Sequence, residues 1–502
     1  MQSGFATLDW LVFTAYFLML AITSLLLSQT KIRTSRDYFV GSNRMPMLAV
    51  AISVLATSQS AATFLGGPEY SYRNDLTFLG FYLSALLAVW FVAKVLIPRF
   101  YAINAVTVYE LLQIRYGERA KRYAGVMFLL GRLFASGARL YIGALAVSMI
   151  LFNDIAFLHV SYAIALLMLG ALAYTYFGGV KSVIFSDVIQ AITYIGAGIA
   201  VLVYLYMALE SDLNTIITTL QADDKLRLID WSFSWSSEGK FNIFGLLTGW
   251  LLLNIAAYGL DQDMTQRVLS CKDAASGQRS LYYSIVFTVP VVLLFLTIGL
   301  LLYLFYRHHE IVQHFQGEQV TIFMYYILNE MPEGLKGLVT VGAVAAALSS
   351  TNSVLGAMAS VAVEDLYKPL KLRHAAVNEA HFVTAARISV LGFAVALCLM
   401  AMLGYLVHHD SDLPLLSFAL GVMAFAYSGL LGVYGAAIFT RRGSERSVLY
   451  ALIGGFVTVL SLQPYLFGAD IGFAWQMVLG TVVSFGIMQL DSTQPTPIKE
   501  SP

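Results

Sequence analysis

The chain is punctuated by apolar runs about as long as a bilayer is thick. They lie near 8–28, 46–68, 77–98, 123–151, 156–175, 181–207, 242–260, 281–306, 336–363, 383–407, 414–440, 446–463 and 472–490. A helix crosses the roughly 30 Å hydrocarbon layer with about 20 apolar residues. Backbone groups in lipid must find partners inside the element, so only helices and closed barrels cross. These runs lack the alternation of barrel strands. The expected fold class is therefore an all-α membrane protein with about thirteen transmembrane helices. Composition argues against buried helices in a soluble protein: 12% of residues are charged, against about 25% in ordinary soluble domains.

The first run has no basic start and no small-residue cleavage site, so we expect a retained span rather than a signal peptide. Asp9 stands at its mouth and is expected to matter little. Cys271 and Cys398 suggest neither a disulfide framework nor a thiolate metal cluster. With 30 basic and 30 acidic residues, no basic surplus points to nucleic acid, and nothing requires an oligomer.

Orientation follows from where the basic residues fall. Lys31, Arg33, Arg36 and Arg44, then Arg115, Arg119, Lys121 and Arg122, then Arg267, Lys272 and Arg279, and finally Lys368, Lys371, Arg373, Arg441, Arg442 and Arg446 cluster on alternate loops. This places the amino terminus outside and the carboxyl terminus in the cytoplasm, in a cell membrane that we take to be a bacterial inner membrane. The two long outer loops are expected to carry short interfacial helices, with Trp231 and Trp235 as anchors. His308-His309, with Glu310 and His314, is read as a solvated loop rather than a metal site.

Ionisable residues far from span ends are costly in lipid and mark function or ion pairs. Arg132 and Arg139 lie seven residues apart, on one helix face. Arg132 suits a structural ion pair or a functional contact; Arg139, deeper, suits a solute or a carbonyl cluster. Asp187 suits either an interfacial cap near Lys181 or cation handling. Two runs look like broken helices. In one, Thr57, Ser58, Gln59, Ser60 and Thr63 interrupt the apolar residues, and Gly66-Gly67-Pro68 is expected to end regular helix. In the other, Asn254 lies within the run and Gly259 precedes Asp261, Gln262 and Asp263. Broken helices at membrane depth expose carbonyls and amides to ions and polar solutes.

The stretch GAVAAALSSTNS, Gly342 to Ser353, is small throughout and polar at its end. Small residues allow close helix packing, and hydroxyls can bond one turn back. Ser349 and Ser353 also share a face, with Ser350 beside Ser353. Such a hydroxyl face, set against the interrupted segment Ala56–Thr63, could surround a hard cation with oxygens.

The loop SRDYFVGSNRMP, the stretches YFGGVKSVIFSDVIQ and DQDMTQRVLS, and VAAALSSTNS followed by DLYKPL resemble the sodium/solute symporter family, over nearly the whole chain. The resemblance implies a five-plus-five inverted-repeat core. Its parts would be an extra helix and loop at 1–45, a first repeat at 46–207, an outer loop at 208–241, a second repeat at 242–440, and two extra helices with a tail at 441–502. It implies Na+ as coupling ion, held by backbone carbonyls of Ala56, Gln59 and Ala346 and by the hydroxyls of Ser349 and Ser350. A second sodium would fall on Asp187, Ser349, Asn352 and Ser353, with Asn352 where the family has serine. Solute contacts would be Ser58, Ser60, Thr63, Asn254, Tyr258 and Asp261, with Arg132 or Arg139 as a carboxylate clamp.

Residues that sugar-carrying members use for gating and sugar contact fall on Ala257 and Thr63 here, and the eighth span lacks their lysine. The expectation is thus a sodium-coupled symporter, not an enzyme, importing a small polar solute by alternating access. A carboxylate-bearing solute (organic acid, amino acid or acidic sugar) is favoured, because it would neutralise a buried arginine. A neutral-sugar symporter, a proton-driven carrier and a non-transporting sensor stay open.

Overall fold

The computed structural model describes residues 5–28, 32–237, 239–309, 311–373, 377–408, 415–464, 468 and 470–494. Lys31 and Glu310 lie outside the described residues. The chain is an all-α, multi-pass membrane protein. Among the described residues, eight helices are long and apolar enough to cross a bilayer, or ten if each of two bent pairs counts as one span.

Helix α1 (Thr7–Ser28) and the short α2 (Ser35–Val40) lead into the first bent pair, α3 (Met47–Ser58) and α4 (Ala61–Arg73). Then come α5 (Leu79–Ala102), α6 (Glu110–Tyr116), α7 (Glu118–Phe152) and α8 (Phe157–Ala208). Helix α8 has 52 residues, or about 78 Å at 1.5 Å per residue, too long for one crossing. It turns at Gly179, where φ is 58° and ψ −156°. A Cβ there would also lie 2.5 Å from the Tyr38 carbonyl oxygen, so only glycine fits this corner.

After the loop helix α9 (Leu213–Ala222), the second bent pair is α10 (Ile243–Gly259) and α11 (Gln262–Leu269). The order continues with α12 (Ala274–Phe305), the loop hairpin β1 (His314–Phe315) and β2 (Glu318–Gln319), and α13 (Ile322–Asn329). The last elements are α14 (Leu335–Leu372), α15 (Glu379–His408), α16 (Leu415–Phe439), α17 (Glu445–Ser461) and α18 (Phe473–Leu490). The two long loops thus hold the short helices α9 and α13. Trp231 and Trp235 are both exposed, and the Trp235 ring lies 4.3 Å from that of Trp475.

Both expected breaks are present, bent by 61° and 49°. The first falls at Gln59, not at Gly66-Gly67-Pro68, which lie inside α4. A capping box restarts the helix: Ser60 N–H donates to Thr63 Oγ1 at 2.7 Å, and Thr63 Oγ1 donates to Ser60 O at 2.8 Å. Pro68 removes one N–H from α4, a loss that neighbouring helices commonly compensate in membrane proteins. The second break falls at Leu260–Asp261, where the Asp261 carboxylate caps α11 through Asp263 N–H at 3.0 Å. Met45 N–H donates to Ser270 O at 3.0 Å. The start of the first bent pair therefore lies beside the end of the second, and the pairs run in opposite directions.

Small residues set the packing. The run Gly342–Ser353 is buried throughout within α14, which packs most extensively on α8. A Cβ at Gly299 of α12 would meet the Pro68 carbonyl oxygen at 2.1 Å, and one at Gly249 of α10 would meet that of Ala474 at 1.8 Å. Asp9 corrects our reading. It is buried, and its Oδ1 accepts from Gly334 and Gly337 N–H at 2.7 Å each, capping the start of α14. Those N–H groups have no partner within the helix, so the carboxylate at the mouth of α1 serves a distant one.

Candidate solute and cation site

A cavity of about 120 Å³ lies where the two helix breaks meet. All eight residues expected at the solute line it: Ser58, Ser60, Thr63, Arg132, Arg139, Asn254, Tyr258 and Asp261. Phe78, Phe81, Phe241, Trp250 and Leu253 supply apolar walls, with Tyr82 and Tyr427 among the polar ones. A few directed polar groups in an apolar hollow are the usual makeup of a small-molecule site. Asn254 donates to Ser84 Oγ at 2.8 Å, which fixes its amide at the wall.

Arg132 is already engaged. Its Nε donates to Asp261 Oδ1 at 3.2 Å, and its Nη2 donates to Asp261 Oδ2 and, at 3.1 Å, to Asp263 Oδ2. Tyr427 of α16 donates to the same Asp261 oxygen, Oδ2. The ion-pair reading of Arg132 is the one observed, and a clamp role would require these carboxylates to yield. Arg139 lines the same cavity two turns along the same helix face. The partner Tyr427 was not visible in the sequence, because a lone tyrosine in an apolar run carries no signal.

The second cluster is centred on Asp187, which is fully buried. Its Oδ1 accepts from Ser349 Oγ at 2.9 Å, and its Oδ2 accepts from Ser53 Oγ at 2.5 Å. Arg267 Nε and Nη2 reach Oδ2 at 3.3 and 3.2 Å. An interfacial cap beside Lys181 is thus not what Asp187 makes. Arg267 corrects our assignment of it to a basic inner loop. It is one of the largest fully buried side chains, held by Asp187 on one side and by Asp263 on the other, with Nη1 3.0 Å from Asp263 Oδ1. A buried guanidinium is tolerable when carboxylates occupy its fork. Ser53 was also missed; one serine in an apolar helix reads as a packing residue.

The other expected cation ligands are arranged less uniformly. Helix α3 ends at Ser58, where Gln59 N–H still donates to Leu55 O at 3.2 Å. Ser60 N–H, which would serve the Ala56 carbonyl in a continued helix, is turned to Thr63 instead. Gln59 Nε2 reaches Tyr82 Oη at 3.5 Å. Ser350 Oγ donates to Ala347 O at 3.0 Å and, more weakly, to Ala346 O at 3.4 Å; Ser353 Oγ donates to Ser350 O at 2.8 Å. These two hydroxyls bond back within their own helix, and of the three serines only Ser349 bonds to Asp187 among the described residues. Asn352 Nδ2 contacts Ser186 Oγ at 3.4 Å, and its buried Oδ1 has no hydrogen-bond partner among the described residues.

The sequence model of the sodium:solute symporter family matches residues 38–457. The chain belongs to that family. It is therefore a sodium-coupled secondary transporter. It is similar to the sodium/sialic acid symporter SiaT of Proteus mirabilis, at 26% identity over 95% of this chain and 93% of that protein. It is also similar to the human sodium-coupled monocarboxylate transporter 1, at 28% identity over 85% of this chain and 68% of the relative. It shares the fold of a substrate-bound, outward-open Na+-coupled sialic acid symporter, with TM-score 0.86, 24% identity, and coverage of 98% and 99% of the two chains.

Proposed function

We propose that this symporter moves a small carboxylate-bearing solute together with sodium by alternating access. The observation that carries the reading is one cavity, at the meeting of two helix breaks, into which Arg132 and Arg139 both project. Sialic acid and monocarboxylates, named for the two relatives, are both carboxylic acids, which supports the same class. Neutralising a buried guanidinium offsets its desolvation.

The proposed sodium site comprises the carbonyls of Ala56, Gln59 and Ala346 with the hydroxyls of Ser349 and Ser350. Asp187, Asn352 and Ser353 form a second. Sodium would brace the contact between α3 and α14 and leave when these helices separate. One charge crossing about 100 mV supplies about 2.3 kcal/mol, and a tenfold gradient adds about 1.4 kcal/mol.

The topology we propose has thirteen spans. The corner at Gly179 divides α8 in two, and α16 and α17 join the long helices. The opposed bent pairs support repeats at 46–207 and 242–440, with 1–45, 208–241 and 441–502 outside that core. The amino terminus would lie outside and the carboxyl terminus in the cytoplasm of a bacterial inner membrane.

Uptake into proteoliposomes tests this reading. Labelled sialic acid, pyruvate, proline and glucose are offered with an inward sodium gradient, a proton gradient, or neither. Concentrative uptake of an acid with sodium only is expected. Full uptake driven by protons without sodium would refute the ion. A neutral polar solute is the second reading, favoured by the carboxylates already on Arg132, and exclusive uptake of glucose would select it.

A further inference from the structure

Asp261 lines the solute cavity and Asp187 lies at the proposed sodium site, yet one unbroken set of ion pairs joins them. Asp261 holds Arg132. Arg132 reaches Asp263 Oδ2 at 3.1 Å. Asp263 Oδ1 lies 3.0 Å from Arg267 Nη1. Arg267 Nη2 lies 3.2 Å from Asp187 Oδ2. Every side chain in the series is almost wholly buried, so these links are screened far less than surface pairs.

Asp263 is the hinge of the series, because each of its oxygens serves a different arginine. The geometry points to Asp263 as the positioning residue that couples sodium occupancy to the solute cavity; the idea rests on the transport reading above. A cation arriving at Asp187 competes with Arg267 for that carboxylate. Arg267 then bears harder on Asp263, its other partner. Asp263 is drawn from Arg132, and Arg132 gains free donors toward the cavity, where a solute carboxylate can accept them. Sodium would thus prepare an anion receptor it never touches. Coupling of this kind is a difference in affinity, commonly about 5- to 150-fold, and it requires an element with two arrangements rather than mere adjacency. The two-sided carboxylate supplies that element.

The test needs only sodium and small thiol reagents. Ala257 lines the cavity, and Ala257→Cys, with Cys271→Ser and Cys398→Ser, places one thiol there. The readout is the ratio of modification rates by a sulfonate-bearing and a trimethylammonium-bearing methanethiosulfonate, in sodium and in potassium. Sodium is expected to raise the ratio by about fivefold or more. With Asp263→Asn added, the ratio should no longer respond, while sodium still raises the melting temperature. Asp263→Glu should restore the response. Arg132→Lys keeps the charge but cannot hold two carboxylates in one fork. It should abolish the response too, and it serves where Asp263→Asn does not fold.

A sodium response that survives Asp263→Asn or Arg132→Lys overturns the inference. So does an Asp263→Asn protein that has also lost its sodium-induced stabilisation, since Asp263 would then merely support the cation site. A parent thiol whose ratio ignores sodium overturns it as well. The uptake assay decides the transport reading separately.

Discussion

The two helix breaks lie on the same cavity but are built from different materials. At Gln59 the chain is held by its sequence neighbours: Gln59 N–H donates to Leu55 O, and Ser60 and Thr63 cap each other. Nothing charged is involved. At Asp261 the cap is a carboxylate, which also takes Arg132 from α7 and Tyr427 from α16. Six residues on, Arg267 ties the same short helix to Asp187 of α8. A neutral, locally closed break can rearrange without exposing charge to an apolar interior. A charged break can move only if several helices answer it, because an uncompensated buried ion costs several kcal/mol. One break is suited to receiving ligands, the other to sensing them.

The contrast can be tested by variants of decreasing severity. Arg267→Met leaves Asp187 and Asp263 facing each other's neighbourhood without their shared cation. We expect a loss of about 3–5 kcal/mol, seen as little folded protein in size-exclusion chromatography. Ser349→Ala removes one neutral oxygen from Asp187 and should raise the sodium concentration for half-maximal uptake about tenfold, with the melting temperature in potassium nearly unchanged. Asp9→Ala, remote from both breaks, uncaps α14 and should cost about 1–2 kcal/mol, read as a lower melting temperature with sodium affinity intact. Thr63→Ala at the neutral break removes the hydroxyl that both bonds share and should cost about 1 kcal/mol. If it proves as damaging as Arg267→Met, the distinction between the breaks fails.

The smallest effect belongs to Asp491, beyond α18. Hydrogen bonds from Ser444 and Thr493 lower its carboxyl from the usual 3.8 to about 2. Its stabilising contribution is complete above about pH 4 and is lost as pH falls through about 2. Asp491→Asn should therefore erase a slight fall in melting temperature over that window and leave the curve above it parallel to the parent's.

Much of this was legible in the sequence, for reasons that differ by residue. The bilayer forces long apolar helices, and polar residues inside them stand out, so both breaks and all the cavity residues named in advance could be found. Misreadings came where one local signal has two physical outcomes. Gly66-Gly67-Pro68 usually punctuates a helix, yet packing against α12 carries α4 through it. Asp9 and Arg267 read as surface charges because their partners are hundreds of residues away or on other helices. Ser53 and Tyr427 gave no warning, since a single hydroxyl in an apolar run is ordinary.

The close approaches at Gly299 and Gly249 have a mechanical consequence. Where a methyl group would strike a carbonyl at 2.1 or 1.8 Å, two rods lie too near to slide past each other. Helix α4 is spliced to α12, where Ser71 Oγ also donates to Leu296 O at 2.7 Å, and α10 is spliced to α18. Each kinked rod thus has one limb bolted to a neighbour, and any hinge stroke must be made by the other limb, α3 or α11, which are the limbs that carry Ser53, Asp263 and Arg267.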